Sequence, residues 1–257
     1  MAKNVGEYDE MRIKLRLIEL RDAEQPIVID GQELHIQSVK MGEEFSSLPI
    51  GTDLTAMSDA EIEKLAKSVG ASKAPTGAKA DVYINDVGYS VKSHRSAPPA
   101  LVNHTPRWGW KRICDSLQVD ITPLDEIVAE YFRLRSAGEI GEDVGNDNSL
   151  SPFLNHKEYL RPILNYFLFT GTGVGDSMYP ANYVLDCADP YDINTWKLYD
   201  HTNYLDLVWD RLVFSMRNKG FNPRYTRPND LWKNAACSLW AHRFDGSIKG
   251  SLHVRAR

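Results

Sequence analysis

The chain has 257 residues, enough for one large domain or two small ones with a sizeable core. Its 42% apolar and 25% charged content is ordinary for a globular protein and excludes a mostly disordered or fibrous chain. The net charge is −5, and no apolar stretch approaches the roughly 18–20 residues of a membrane span.

Glu7 to Arg21 predicts a helix with Met11, Leu15 and Ile18 on one face, although the alternation of Ile13, Leu15 and Leu17 also suits a strand. Pro26 to Lys40 predicts a hairpin around Asp30-Gly31. Ser58 and Glu61 form a capping box that opens a short helix with Ile62, Leu65 and Val69, stopped by Gly70. A Pro/Gly loop follows from Ser72 to Lys79. Ala80 to Asn85 is expected as a strand, Asn85 to Gly88 as a turn and Tyr89 to Ser93 as the return strand. Further helices are expected from Pro123, with Thr122 as N-cap, to Gly138, from Lys157 to Phe169, and from Asp200 to Asn218. Residues 139–151 and the Gly171–Gly175 segment are expected as loop and turn. The end of the chain, about 237–255, predicts a basic hairpin around Phe244-Asp-Gly246. The mixture gives an α/β or α+β class, and with no clear linker, 1–257 is expected as one domain.

Three cysteines (Cys114, Cys187, Cys237) form no CxxC pair, so neither a disulfide scaffold nor a zinc site is supported. The first residues, Met1 to Glu7, lack the apolar core of a secretory signal, and the expectation is a reducing cytoplasm. Charge is blocked along the chain. Val87 to Arg112 holds five Lys/Arg and no acid, Lys219 to the end eight Lys/Arg against Asp230 and Asp245, and Asp115 to Asp147 nine acids against Arg133 and Arg135. This is compatible with a polyanion-binding face, and equally with scattered solvated charge.

The chemistry concentrates in Asp81 to Lys92. Alternation along a strand puts Ser90 and Lys92 on one face and Val91 on the other, in the core. Asp81 lies on the partner strand near the far end of the return strand. A carboxylate, a lysine and a hydroxyl can then converge, and Mg²⁺ suits one or two carboxylates plus a substrate phosphate. A surface hairpin with a solvated lysine is the plain alternative. Beyond it, Ser93, His94, Arg95, Asn103, His104, Thr105 and Arg107 interleave with Trp108 and Trp110. Ser93, Arg95, Asn103 and Thr105 suit phosphate or base-edge contacts, Arg107 phosphate or guanine, and His94 and His104 structural or phosphate-contacting roles. Arg243, Lys249 and Arg255 in the terminal block suit a DNA surface. Asp186, Asp189 and Asp192 are expected in a loop, and Tyr204, Trp209 and Phe214 in the core.

Three patches carry a resemblance: Asn4-Val-Gly-Glu7, Lys79-Ala-Asp81, and Tyr89-Ser-Val-Lys-Ser93 with Pro99-Ala-Leu-Val-Asn103 after it. Here the chain resembles type II restriction endonucleases of the PD-(D/E)xK superfamily, closest to an HpaII-like set. The resemblance implies a restriction-endonuclease-like core, a mixed central sheet flanked by helices. It implies Asp81 as metal-binding aspartate, Lys92 as catalytic lysine, and Glu7, less surely Glu10, as the supporting helix glutamate. On this basis Asp81, Ser90, Lys92 and Glu7 are the expected catalytic residues, and Asp81, Val91 and Glu7 the expected Mg²⁺-binding set. Ser90 departs from the pattern, which has Glu or Asp there. The implied activity is Mg²⁺-dependent cleavage of specific double-stranded DNA, with a cognate DNA methyltransferase in the same system and either a monomer or a homodimer as the working form. A DNA-binding protein with an inactive nuclease fold, or a repair-type nuclease, are the alternatives.

Overall fold

The computed structural model describes residues 4–71, 73–93, 95, 100–219 and 239–257. Helix α1 (Val5–Asp22) is followed by β1 (Ile27–Ile29), β2 (Gln32–Leu34), β3 (Val39–Met41), β4 (Glu43–Glu44), α2 (Asp59–Ser68), β5 (Val82–Ile84) and β6 (Val87–Ser93). Then come β7 (Ala100–Pro106), α3 (Arg107–Leu117), α4 (Thr122–Ser136), β8 (Asp143–Gly145), α5 (Lys157–Asn165), β9 (Tyr183–Cys187) and β10 (Trp196–Tyr199). The chain closes with α6 (Tyr204–Val208), β11 (Leu212–Arg217), β12 (His242–Phe244), β13 (Ser247–Lys249) and β14 (Ser251–Ala256). The class is mixed α/β, with several sheets. The chain falls into two compact units, Met1–Pro99 with Ser177–Tyr204, and Ala100–Asp176 with Leu205–Arg257. Each is assembled from two separated stretches, so no linker marks the division.

In the first unit the Asn4 side chain accepts from the Glu7 amide at 3.0 Å and Glu7 accepts from the Asn4 amide at 3.2 Å, a capping box that starts α1. Ile13, Leu17 and Ile18 of that helix join Ile62, Val82, Val91 and Leu185 in the core. The six-stranded sheet runs β10-β9-β6-β5-β3-β4. Strand β6 lies inside it, antiparallel to β5 and parallel to β9. The β5–β6 turn is tighter than expected: Asn85 (φ 49) and Asp86 (φ 67) alone make it, so the return strand starts at Val87, paired with Ile84. Asn85 Oδ1 also accepts from the amides of Gln37 and Ser38 at 2.8 and 3.1 Å, which pins the turn. The β1–β2 hairpin turns at Asp30 (φ 50) and Gly31 (φ 76), as its dipeptide predicts.

In the second unit a sheet of order β7-β14-β11-β8 packs Phe214 against Phe153, rings 4.0 Å apart and parallel to within 3°. Four sequence expectations change here. The helix expected over Asp200 to Asn218 shrinks to α6 and a single 3-10 turn, and Leu212–Arg217 is a strand buried on both faces up to Met216. A short apolar run buried on both faces has no period to separate strand from helix. The loop expected over 139–151 contains β8. The terminal hairpin is only β12–β13, after which β14 leaves to pair with β11 and β7; Cys237 lies outside the described residues. Helix α4 begins at Thr122, and the oxygen that accepts from the Thr122 amide, at 3.0 Å, belongs to Asp120.

Candidate active site

Strand β5 starts only at Val82, and Asp81 continues its edge alongside β6. The Asp81 backbone amide donates to the Tyr89 carbonyl at 2.8 Å, and its side-chain Oδ2 accepts from the Val91 amide at 2.7 Å. The N–H and C=O of a strand residue point to the same side, so the Val91 carbonyl shares this edge while its side chain is buried in the core. Any contribution of Val91 to a metal is therefore through its backbone oxygen. Ser90 is buried, donates to Asp81 Oδ2 at 3.5 Å and accepts from Lys92 Nζ at 2.9 Å. Asp81, Ser90 and Lys92 thus form one connected row, as alternation along β6 requires.

Glu10 feels the charges of this row. Burial raises its carboxyl above the usual carboxylate range, the charge of Asp81 raises it further, and Lys14 and Lys92 pull it back. Glu10 Oε1 meets the Nζ of the fully buried Lys14 at 2.6 Å, one turn along α1. Glu7 is occupied by the capping box and by Lys73 at 2.6 Å, whose ammonium the pairing raises. Lys79, two residues before Asp81, is pushed down to about 8, first by burial and then by Lys92, against the pull of Asp81. Lys14 and Lys79 carry no role in the sequence reading; the Glu10–Lys14 spacing of one helical turn is the signal that could have found the first.

Asp186 is not in a loop. It lies on β9 in register with Lys92, whereas Asp189 and Asp192 do make turns, accepting from the amides of Tyr191 at 2.8 Å and Asn194 at 3.1 Å. Ser93 donates to the fully buried Asp9 at 2.6 Å, and the exposed Arg95 guanidinium lies 3.5 Å from the same carboxylate. His94 lies outside the described residues.

The remaining candidates belong to the second unit. Asn103 is exposed, and its carbonyl accepts from the Thr105 hydroxyl at 3.0 Å; Thr105 is buried, and its own carbonyl accepts from Trp110 Nε1 at 3.1 Å. Arg107 is a correction: its guanidinium is buried and bidentate to Asp125 at 2.7 and 2.6 Å, which ties α3 to α4 and withdraws it from phosphate or guanine. Lys249 meets Glu142 at 3.1 Å and Arg255 meets Asp143 at 2.8 Å, while Arg243 is exposed. Arg224, Arg227 and Lys233 of the same block lie outside the described residues.

Among the described residues no group of three His, Cys, Asp or Glu side chains converges to hold a metal. The donors at hand are the carboxylates of Asp81 and Glu10 and the Val91 carbonyl. This hard-oxygen set fits Mg²⁺, which ordinarily keeps several waters and takes one or two carboxylates beside a phosphate. Burial first, and the charge of Asp81 after it, raise the Glu10 carboxyl. No protein-family model matches the chain, and no curated protein or solved structure is similar to it. No helix among the described residues is long and apolar enough to cross a membrane.

Proposed function

We propose that the protein is a Mg²⁺-dependent type II restriction endonuclease with a PD-(D/E)xK-type core, hydrolysing phosphodiester bonds at a specific short sequence in double-stranded DNA. The observation that carries this reading is the row Asp81, Ser90, Lys92, fixed by the Val91 amide and faced by the charge of Glu10. Asp81 and Glu10, with the Val91 carbonyl, would hold Mg²⁺. When bound, the ion supplies charge neutralisation at the phosphate and a lower pKa for the attacking water. Asp81 is pre-oriented by the hydrogen bond that its Oδ2 accepts from the Val91 amide, which leaves Oδ1 for a ligand. Lys92, steered by the Ser90 hydroxyl, aligns a water and stabilises charge that develops on the phosphate. Ser90 supplies orientation where the family pattern has a carboxylate, and Glu10 brings the second acid from the helix. Cytoplasmic location and a cognate methyltransferase that protects host DNA belong to the same reading.

Incubating sequenced duplex plasmid with the protein and Mg²⁺, and mapping the ends, tests it. Discrete fragments with constant ends support a restriction enzyme. Shifted but unbroken DNA sinks the enzyme reading in favour of an inactive nuclease fold that binds DNA, and random nicking favours a repair-type nuclease.

A further inference from the structure

The second unit carries a polar cluster on its four-stranded sheet. On β14, Ser251, His253 and Arg255 alternate with the core residues Leu252, Val254 and Ala256. Across β11 the first two face Arg217 and Ser215. On the other side the register passes from Thr105 opposite Leu252 to Val102 opposite Val254, so Asn103 and His104 together face His253. Such a bulge re-aims a side chain. His104 has φ 32, and its ring stacks on that of His253 with centroids 4.5 Å apart and 16° between planes.

Among the described residues four buried polar atoms here have no hydrogen-bond partner: Nδ1 of His104, Nδ1 of His253, Oγ of Ser251 and Nε of Arg255. Buried polar atoms are normally satisfied, so a cluster of exceptions on one face calls for an absent partner. The surrounding charge says which kind. Arg217 and Arg255 share Asp143, at 2.6 and 2.8 Å, and Arg217 also comes within 3.4 Å of Glu142. Burial, then His253, Lys219 and Arg217, push His104 down to about 4; burial first, then Arg217 and Arg255 against Val102 and Asp143, lower His253. Burial and the nearby cations together disfavour the charged form of both rings. A metal cation is disfavoured there. An oxyanion offers acceptors to the hydroxyl, to the guanidinium N–H and to imidazole N–H groups, and its charge favours protonated rings.

We propose that His104, His253, Ser251, Arg217 and Arg255 form a site for a phosphate-type oxyanion. Naming a DNA phosphodiester as its source rests on the nuclease reading; the oxyanion site does not. The test uses the full chain and follows the histidine ring resonances by NMR while inorganic phosphate, or separately a short duplex, is added against a chloride control of equal ionic strength. Saturable movement of His104 and His253, with their pKa values raised, is expected. Ser251→Ala and, should that variant fold poorly, His253→Gln should each weaken phosphate binding by about tenfold, the worth of one charge-assisted hydrogen bond. Movement with duplex but not phosphate supports a phosphodiester site. Movement with phosphate but not duplex supports the oxyanion site and removes DNA as its source, while leaving the plasmid test of cleavage to stand or fall separately. Rings that respond to neither, or no more than to chloride, overturn the proposal.

Discussion

In the second unit opposite charges meet. Lys249 lies on Glu142, Arg255 on Asp143, Arg257 on Asp147 and Arg135 on Asp245, so the described part of the basic C-terminus is folded onto the acidic stretch 115–147. In the first unit like charges are kept near one another. Burial first and then Asp81 raise Glu10, and burial first and then Lys92 lower Lys79. Charge blocks in a sequence therefore measure density, and the fold decides how much of it is left for a partner. Perturbed acids and bases gathered at one strand end point to a candidate site, whereas a charge already paired has less left for a partner.

The largest expected effect breaks the comparison at its centre. Lys92→Ala should lower cleavage by about 10²–10⁴-fold while duplex binding persists, because its ammonium matters where charge develops. Cleavage at the unaltered rate would strip the first unit of its role. Arg107→Ala tests the second unit from the other side: breaking a largely buried pair with Asp125 should cost about 3 kcal/mol in urea unfolding, with the salt dependence of DNA binding unchanged. A shallower salt slope would return Arg107 to the DNA surface.

Glu10→Gln and Glu7→Gln separate the two helix acids. The first should raise the Mg²⁺ needed for half-maximal cleavage by about tenfold or more and cost about 1–3 kcal/mol, since it takes a carboxylate from a buried lysine. The second should leave the Mg²⁺ titration alone and cost about 0.3–1 kcal/mol. The reverse result would restore Glu7 as the supporting acid.

Lys79 gives a pH signature. Its folded value, about 8, lies below its ordinary one, so between the two the unfolded chain holds more protons and stability rises with pH. Below about 8 the cost of charging it in the fold is fully present. Lys79→Met should flatten the rise in melting temperature above pH 8, and a rise that persists would assign it to another group. The smallest effect is expected at Arg243, exposed on β12. Arg243→Ala should change the salt slope by about one unit if it touches a phosphate, and a slope that stays put removes it from the interface.

Local chemistry made parts of this fold legible. The Asp30-Gly31 turn, the place though not the length of the turn at Asn85, the Ser58–Glu61 capping box and the row Asp81, Ser90, Lys92 all follow from neighbours in sequence. What stayed hidden depends on distant partners. Leu212–Arg217 has no helical or strand period because both its faces are covered. Asp186 looks like a turn residue beside Asp189 and Pro190 until β9 pairs with β6. The candidate second acid hid because Glu7 and Glu10 lie three residues apart on α1, and only packing decides which one feels the charge of Asp81.

The parallel pairing of β6 with β9 has a consequence for synthesis. The strand that bears Ser90 and Lys92 leaves the ribosome early, but the strand that covers its other edge follows only after most of the second unit. At about 5–20 residues per second that delay is on the order of ten seconds. Until Tyr183–Cys187 arrives, β6 is an open edge, available for wrong pairing between nascent chains. A chain cut short before Tyr183 should be aggregation-prone, and it cannot assemble the complete sheet around Lys92, so the proposed chemistry should require a chain made through Cys187.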